Sequence, residues 1–346
     1  MGIDDRKQLV LQAIVRLYSK AGEPVGSTLL ARHFSIPVSS ATLRNEMAAL
    51  TKLGLLEQPH TSAGRVPSTK GYRYYIDNLL DAGALLSEAD QHTISTAFRE
   101  MDFDPERLAE GAARALAQLS GYAVVATTPK SDDMCAAHYE VVQVGRYTAA
   151  VLAVTNAGGV RTRTAKLEVA LQPEEPARLA GALNRFLTFR NAADVDDALL
   201  YAAAESLGTR GQSLLPVITA ACKLLSEGGR PSVYLEGQQN LLRYRELEGS
   251  FRNLMALLSD ETALRDYVSP PTPRTVILLG DDLPDYPMPG YCIMSKQYVA
   301  GGGRTGAIAI LGPARMPFRE LIPRLEYFAQ LLGEGMSGKK EEDIFT

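Results

Sequence analysis

The first part of the chain contains three segments in which apolar residues recur at helical spacing. Residues 5–20 form the first segment, and residues 27–34 form a shorter second segment that Ser27 is placed to cap. The third segment follows a link at residues 35–38, with Ser39 in a favourable capping position and Gly54 at its end. Its apolar face consists of Leu43, Met47 and Leu50. Two helices joined by so short a link predict a helix-turn-helix.

Two short extended pieces follow the third helix, at residues 55–58 and 65–67, with a polar tip between them. This outline predicts a wing, a hairpin that lies along DNA phosphates or enters the minor groove. Ser68 is placed to cap a fourth helix that ends at residue 80. The aromatic residues of this helix are Tyr72, Tyr74 and Tyr75, and we expect them to pack against the next domain rather than to stack on bases.

Strand-like segments dominate the middle and the end of the chain, with a helical region between them. After a helix over 102–121, β-rich runs occupy residues 122–127, 139–144, 147–155 and 160–169. The pattern is helical over 173–267, apart from an extended piece at 232–235. Strands resume at 276–279, 291–299 and 307–311, and a final helix follows. This order predicts an antiparallel sheet domain that is interrupted by an insertion.

The composition is that of a folded, multidomain protein. The length of 346 residues exceeds a usual domain of about 100–200 residues, so we expect two or three domains. Hydrophobic residues make up 46% and charged residues 22% of the chain, which excludes a largely disordered protein. No run approaches the roughly 18 apolar residues of a membrane-spanning helix, and the N-terminus lacks the apolar core of a signal peptide. We therefore expect a cytoplasmic protein with no membrane association.

The charge is unevenly distributed along the chain. Residues 1–80 contain ten basic and six acidic side chains, a net charge of +4. The remaining residues contain 26 basic and 34 acidic side chains, a net charge of −8. A basic head on an acidic body is typical of a small polyanion-binding domain attached to a body with another role.

Residues typical of catalytic and metal sites are sparse. Cys135, Cys222 and Cys292 form no CxxC pair, and the four histidines show no metal-ligand spacing. We therefore expect free thiols, no metal and no cofactor. Residues 301–306 match GxGxxG, but a strand follows where a dinucleotide site needs a helix, so a hairpin loop is predicted. No nucleophilic constellation stands out, and we expect no enzyme.

The exposed side of the third helix carries side chains suited to reading DNA. Arginine can bond guanine bidentately, and asparagine can do the same with adenine. The predicted base-reading residues are Ser39, Ser40, Thr42, Arg44 and Asn45. The predicted backbone contacts of the wing and the fourth helix are His60, Thr61, Ser62, Arg65 and Lys70. A solvated helix face is the alternative for an isolated Arg-Asn pair, and the helix-turn-helix context favours DNA binding.

Five stretches of the chain carry a more specific signal. They are GEPVGS at 22–27, SSATLRNEM at 39–47, LEQPHTSAGRVP at 56–67, GYRYYID at 71–77 and GAIAILGPARM at 306–316. In these stretches the chain resembles the bacterial heat-inducible transcription repressor family HrcA. Because the stretches lie near both ends, the resemblance implies kinship over the full length.

The resemblance implies an α+β multidomain fold. It comprises an N-terminal winged helix-turn-helix at residues 1–82, a discontinuous GAF-like α/β domain with an antiparallel sheet at 83–170 and 272–338, and a mainly helical inserted dimerisation domain at 171–271. We expect residues 339–346 to form a disordered charged tail.

The function that the resemblance implies is repression of heat-shock chaperone operons. The repressor would bind an inverted-repeat operator in double-stranded DNA, called CIRCE, as a homodimer, and the GroE chaperonin would keep it active. GAF-like folds often enclose small molecules, so a winged-helix regulator that is controlled by a small-molecule ligand of this domain is the alternative.

Overall fold

The computed structural model describes residues 3–34, 39–60, 63–80, 85–102, 104–129, 135–156, 159–191, 194–228 and 231–337. The chain divides into two compact units, one formed by residues 1–128 with 233–346 and the other by residues 129–232. Three sequence predictions lie outside the described residues: the link at 35–38, Thr61 and Ser62 of the wing tip, and the tail at 339–346.

The first unit begins with a winged helix. Its elements are α1 (Asp5–Ala21), α2 (Ser27–His33), α3 (Ser40–Lys52), β1 (Leu56–Glu57), β2 (Val66–Pro67) and α4 (Thr69–Asn78). Asp4 caps α1 by accepting a hydrogen bond from the Lys7 backbone N–H at 2.9 Å, and Gly22 ends the helix in the left-handed conformation. The four predicted helices and the hairpin are confirmed, with bounds that differ by one or two residues.

The remaining helices and strands follow in chain order. They are α5 (Glu88–Arg99), α6 (Pro105–Ser120), β3 (Ala123–Thr127), β4 (Ala136–Gly145), β5 (Thr148–Thr155), β6 (Val160–Lys166), α7 (Glu175–Leu187), α8 (Asp197–Glu205), α9 (Gly211–Gly228), β7 (Val233–Glu236), α10 (Phe251–Ser259), α11 (Glu261–Val268), β8 (Val276–Leu279), β9 (Tyr291–Val299), β10 (Thr305–Pro313) and α12 (Phe318–Gly335).

A five-stranded antiparallel sheet forms the centre of the first unit. Its strands lie in the order β7-β3-β10-β9-β8. Val124 and Ala126 share a core with α6 and α12, whereas Ala123 and Val125 belong to the core formed with α10 and α11. Successive side chains of a strand point to opposite faces, so the sheet is covered by helices on both sides. This explains why β3 and β10 are mostly apolar rather than alternating between apolar and polar residues.

The second unit is a smaller two-layer structure. Strands β4, β5 and β6 form an antiparallel sheet in that order, with Tyr139 opposite Ala153 and Val151 opposite Arg163. Helices α7 and α9 pack on one face of this sheet, and α8 packs against α9. Ala149, Val151 and Ala153 point into the core with these helices.

The division into units differs from the predicted domain bounds. The predicted insertion covers 171–271 and is mainly helical, whereas the compact unit covers 129–232 and includes β4, β5 and β6. The three strands separate from β3 because their inner faces complete a core with α7 and α9. Helices α10 and α11 instead contact the five-stranded sheet.

Local departures from the predicted elements have identifiable causes. Within the helical pattern predicted over 173–267, residues 245–250 form a 3-10 turn, and α10 follows directly. Asp260 ends α10 and caps α11 by accepting hydrogen bonds from the backbone N–H groups of Thr262 and Ala263, two and three residues further along. The sequence analysis did not identify α5, and it included α8 in the helical region without delimiting it.

The glycine-rich segment at 301–306 connects β9 to β10. The two strands pair antiparallel, with Thr305 opposite Val299. Gly302 and Gly303 adopt φ values of 73° and 75°, which favour glycine. The predicted hairpin loop is confirmed. Within the described ranges, no helix combines the length and apolar character needed to cross a bilayer.

Candidate nucleic-acid interface

The start of α3 is fixed by a capping serine. Ser39 Oγ accepts a hydrogen bond from the Thr42 backbone N–H at 3.1 Å and lies 2.8 Å from the Thr42 hydroxyl oxygen. Both hydroxyls thus have partners within the first turn of the helix. Ser39 therefore positions this turn, whatever further contact its hydroxyl makes.

The predicted base-reading side chains lie together at the N-terminal half of α3. Leu43, Met47 and Leu50 are buried against the other helices of the head. This orientation leaves Ser40, Arg44 and Asn45 exposed, with Thr42 half-buried between them. The helix-turn-helix arrangement presents such a face to the edges of bases in a major groove.

An ion pair from α1 neutralises the acidic residue on α3. Glu46 is adjacent to Asn45 in sequence and is half-buried, and its carboxylate lies 3.4 Å from Lys7 Nζ. Lys7 also pairs with Asp4, and these partners raise the pKa of Lys7 despite its partial desolvation. The ion pair offsets the negative charge of Glu46 beside the exposed face of α3.

The wing is a three-stranded arrangement built on the hairpin of β1 and β2. Leu56 pairs with Pro67, and Val25 forms a two-bond bridge with Arg65, both bonds being 2.9 Å. A Cβ at Gly64 would lie 2.4 Å from the Val25 carbonyl, so this approach of the two backbones requires glycine. His60 is exposed near the tip of the wing.

Arg65 connects the wing to α3. Its Nε donates a hydrogen bond to Thr51 Oγ1 at 3.0 Å, and the Thr51 hydroxyl in turn donates to the Met47 carbonyl at 2.8 Å. Arg65 is half-buried at the base of the wing rather than at its tip. It therefore holds the orientation of the wing relative to the recognition helix, and the rest of its guanidinium carries positive charge beside that helix.

Lys70 and Ser68 bind the carbonyl end of α3. Lys70 Nζ donates to the Leu53 carbonyl at 3.0 Å, and Ser68 Oγ donates to the Gly54 carbonyl at 2.6 Å. A cation at a helix C-terminus interacts favourably with the helix dipole. Lys70 is thus placed at the opposite end of α3 from Arg44.

The fourth helix attaches the head to the sheet of the same unit. Of the predicted aromatic cluster, Tyr72 and Tyr75 are buried and Tyr74 is half-buried, and burial raises the pKa of Tyr72 well above its ordinary value. Arg73 donates to the Ile277 carbonyl of β8 at 3.3 Å and forms an ion pair with Asp282. The head is held by both apolar and charged contacts.

Sequence reasoning missed two residues that shape this surface. Thr51 accepts the hydrogen bond of Arg65, and Lys7 forms the ion pair with Glu46. Neither contact follows helical or strand spacing, because each joins elements that only the tertiary fold brings together. No group of three or more His, Cys, Asp or Glu side chains suited to a metal occurs in the part of the chain that the structure describes.

Comparison with known proteins assigns the chain to a family. A family model described as the HrcA DNA-binding, winged helix-turn-helix transcription repressor domain matches residues 3–78, and one described as the HrcA protein C-terminal domain matches residues 106–322. The chain belongs to the HrcA family. The resemblance noted from five short stretches is therefore confirmed over most of the chain.

Individual relatives agree with this assignment. The chain is 32% identical over 337 residues to the heat-inducible transcription repressor HrcA of Desulforudis audaxviator, covering 96% of this chain and 97% of that protein. It is 31% identical to the repressor of the same name from Moorella thermoacetica, with coverage of 96% and 98%. A crystal structure described only as a hypothetical protein matches with a TM-score of 0.68 and 26% identity, covering 98% of this chain and all of that one.

The family assignment gives the winged helix its role. This HrcA-family chain is a heat-inducible transcription repressor, and residues 3–78 form its DNA-binding domain. The relatives named above are likewise described as transcription repressors.

Proposed function

We propose that this repressor controls heat-shock chaperone operons by binding the inverted-repeat CIRCE operator as a homodimer, with the GroE chaperonin keeping it active. The observation that carries the proposal is the exposed polar face at the N-terminal half of α3. Burial of Leu43, Met47 and Leu50 sets its orientation, and the Arg65 to Thr51 bond fixes the wing beside it. Two such heads in a symmetric dimer match a palindromic site.

The residues divide into base contacts and backbone contacts in this proposal. Arg44 and Asn45 read base edges in the major groove, and Ser39, Ser40 and Thr42 add contacts to bases or phosphates. The wing residues His60, Thr61, Ser62 and Arg65, together with Lys70, bind the DNA backbone. The exposure of Arg44 and Asn45 and the basic charge of the head support this division.

The homodimer is supported by exposed valines on one sheet face of the second unit. Alternate residues of β4, β5 and β6 point away from α7 and α9, and they include Val142, Val154 and Val160. These valines are 47%, 37% and 61% exposed, and Val154 lies directly across from Val160. The valines share this face with His138 and Glu140, whose exposed side chains lie 3.6 Å apart, and protein interfaces combine apolar and polar side chains in this way. We therefore assign the dimerising insertion to the unit at 129–232, and we assign the GAF-like domain to the five-stranded sheet with its helices.

Binding to an inverted-repeat operator tests the proposal. Purified protein is titrated onto a duplex from a chaperone-operon promoter and onto a scrambled duplex of equal length, across a salt series. We expect a preference of at least about a thousandfold for the operator, as in specific protein–DNA complexes, and a linear fall of log affinity with log salt. Equal affinity for the two duplexes at every salt concentration would refute operator recognition.

The effect of the chaperonin on DNA binding is tested with the same two duplexes. Adding GroE is expected to raise the fraction of protein that binds the operator after mild heating, without changing the preference between duplexes. If the active fraction is unchanged by chaperonin, the chaperonin part of the proposal fails, while operator recognition stands.

A further inference from the structure

Two of the five stretches that carry the family resemblance meet where the winged-helix head joins the body, which is the five-stranded sheet with its helices. Gly22 begins the stretch GEPVGS and follows the last residue of α1, and Arg315 lies in GAIAILGPARM, just after β10. A Cβ at Gly22 would lie 3.2 Å from Arg315 Cζ and 3.4 and 3.5 Å from its two terminal nitrogens. Because these distances are nearly equal, the guanidinium lies with its face against the end of α1.

Side chains of the body hold the Arg315 guanidinium in this place. Its Nε donates to a carboxylate oxygen of Glu246 in an ion pair, and its Cζ lies 5.0 Å from the centre of the Tyr244 ring. Tyr244 in turn stacks on Tyr122, with ring centres 5.7 Å apart and planes inclined by 16°. The Arg315 side chain is only 19% exposed, so salt screens these contacts less than it screens a surface ion pair.

A guanidinium suits this position for two physical reasons. The C-terminus of α1 carries the negative end of the helix dipole, which favours a cation beside it. The planar guanidinium also stacks on an aromatic ring while it bonds a carboxylate, which the compact ammonium of lysine does not do. Gly22 completes the arrangement, because its φ of 68° ends the helix and its lack of a Cβ leaves room for Arg315.

Packing between head and body is incomplete beside this contact. A cavity of 170 Å³ lies there, with Tyr18, Ser68 and Tyr72 of the head among the residues of one wall and Glu246 and Arg315 among those of the other. Atoms that face a void have no packing partner on that side. Hydrophobic burial is also non-directional, so the core that head and body share favours their contact without selecting one angle. Directional contacts are needed to fix that angle.

We propose that Arg315 is a positioning residue for operator binding, which holds the end of α1 on the body and so fixes the angle at which each head presents α3 to its half-site. The proposal rests on the proposed function, because it concerns the operator and the homodimer. Arg73 makes a second directional contact between head and body, at β8. Two separated contacts define an angle that one contact leaves free.

The angle matters only when both heads bind the same duplex. A head that has lost its fixed angle still binds one half-site through α3 and the wing. The second head then reaches its own half-site less often, so its effective concentration falls. Weakening the Arg315 contact should therefore lower the affinity for the full operator and leave the affinity for a single half-site unchanged.

Titrations of the full chain with three duplexes test this expectation. They are the operator, a single half-site, and an operator with about five base pairs inserted between the half-sites, which turns the second half-site by about half a helical turn. The unmodified chain should bind the operator at least about tenfold more tightly than the inserted duplex. In Arg315→Gln, the operator affinity should fall at least about tenfold and approach that of the inserted duplex. The half-site affinity should stay within about twofold, as for a substitution outside the contact surface.

Glu246→Gln separates positioning from a direct contact of Arg315 with DNA. If Arg315 bound phosphates, removing the neighbouring carboxylate would strengthen binding to every duplex. If Glu246 holds Arg315 in place, Glu246→Gln should instead weaken operator binding and spare the half-site. The double variant should then lose little more than Arg315→Gln alone, because both changes break one contact.

Arg114→Gln is the matched control. Arg114 is also an ion-paired cation of the first unit, but its partners Glu110 and Glu236 belong to α6 and β7 of the body. This variant should keep both the operator affinity and the preference over the inserted duplex. Thermal unfolding verifies that each variant is folded at the temperature of the titrations.

Hydrogen exchange without DNA distinguishes failure of this proposal from failure of the proposed function. The Gly22 N–H bonds the Tyr18 carbonyl at 2.8 Å, and its exchange should be faster in Arg315→Gln than in the unmodified chain or Arg114→Gln. Faster exchange in a chain that does not prefer the operator would refute the proposed function and support the anchoring of α1. Equal losses on operator and half-site in Arg315→Gln, or unchanged exchange with unchanged operator affinity, would overturn the positioning role.

Discussion

Replacing Arg44 by alanine separates base reading from general attraction to DNA. Arg44 is exposed on α3 and forms no ion pair or hydrogen bond with another described residue. Alanine is the best helix former, so the variant removes the guanidinium without weakening α3. Any change in DNA affinity therefore reports a contact with DNA rather than damage to the head.

The magnitude follows from one bidentate contact in each half of the operator. An arginine–guanine pair discriminates by about 1–3 kcal/mol. Two half-sites in a homodimer give about 2–6 kcal/mol, which is a loss of about 30-fold to 20,000-fold on the operator. On scrambled DNA the side chain has no matched base to bond. We therefore expect only the small loss of affinity that follows from removing one positive charge per head.

Competition titrations of operator and scrambled duplex at fixed salt measure both losses. Lys52→Ala is the control, because Lys52 is also an exposed cation of α3 but lies at its far end, outside the predicted contacts. It should weaken both duplexes slightly and by the same factor. The reasoning is refuted if Arg44→Ala reduces affinity for operator and scrambled DNA equally.

Three further predictions concern the wing, the second unit and the dimer. Arg65→Ala should weaken operator and scrambled DNA by similar factors in the same titrations, because it removes a backbone cation and the bond to α3; a selective loss on operator would contradict this. Glu175→Gln should lower the free energy of unfolding by about 1.5–3 kcal/mol in urea titrations, since the buried carboxylate of Glu175 accepts two hydrogen bonds from Arg210. Arg210 lowers the pKa of Glu175 in the folded protein. The stabilisation by Glu175 is therefore fully present above the ordinary carboxyl pKa and is lost as the pH falls through the lowered pKa of the folded state. A stability difference between Glu175→Gln and the unmodified chain that persists in strong acid would be inconsistent with this explanation. Val160→Glu should yield monomers in sedimentation velocity, because it places a charge on the proposed dimer face of β4, β5 and β6. The control is Leu242→Glu, which changes an exposed apolar residue of the first unit and should leave the dimer intact. A dimer that persists in Val160→Glu would exclude this sheet face as the interface.

The winged helix could be predicted from the sequence because its signals are local. Ser39 and Ser68 cap the helices they precede, and Leu43 and Met47 repeat at helical spacing. Each of these signals acts within one or two turns of the chain. Gly54 adopts a φ of 72° just after α3, as a helix stop predicts.

The division into units could not be predicted in the same way. Strand β3 and strands β4 to β6 have the same local β-rich character, but they belong to different sheets. What separates them is the identity of the helices that cover them, α6 and α12 for β3 and α7 and α9 for the others. The hydrophobic pattern of the sequence identifies the strands, but it does not identify which helices cover each face of the sheet they form.

The candidate site shows the same limit at the scale of single residues. The exposed face of α3 follows from helical spacing, so Arg44 and Asn45 could be identified directly. The contacts of Arg65 with Thr51 and of Lys70 with the Leu53 carbonyl depend on how the wing folds back. Both residues were identified as cations near DNA, while their bonds to α3 became visible only in the structure.

The packing of α4 links the DNA-binding head to the stability of the body. Tyr72 is buried, and Arg73 bonds the Ile277 carbonyl and Asp282, so the head and the five-stranded sheet lie in one compact unit. In the proposed dimer, an anchored head reaches its half-site with little further loss of orientational freedom, which raises the effective concentration of the second head once the first is bound. Loosening this junction lowers that concentration without altering any base-reading side chain. Heating that weakens the contacts of α4 would therefore reduce operator affinity before the recognition helix itself unfolds, because bivalent binding fails when its two contacts become independent.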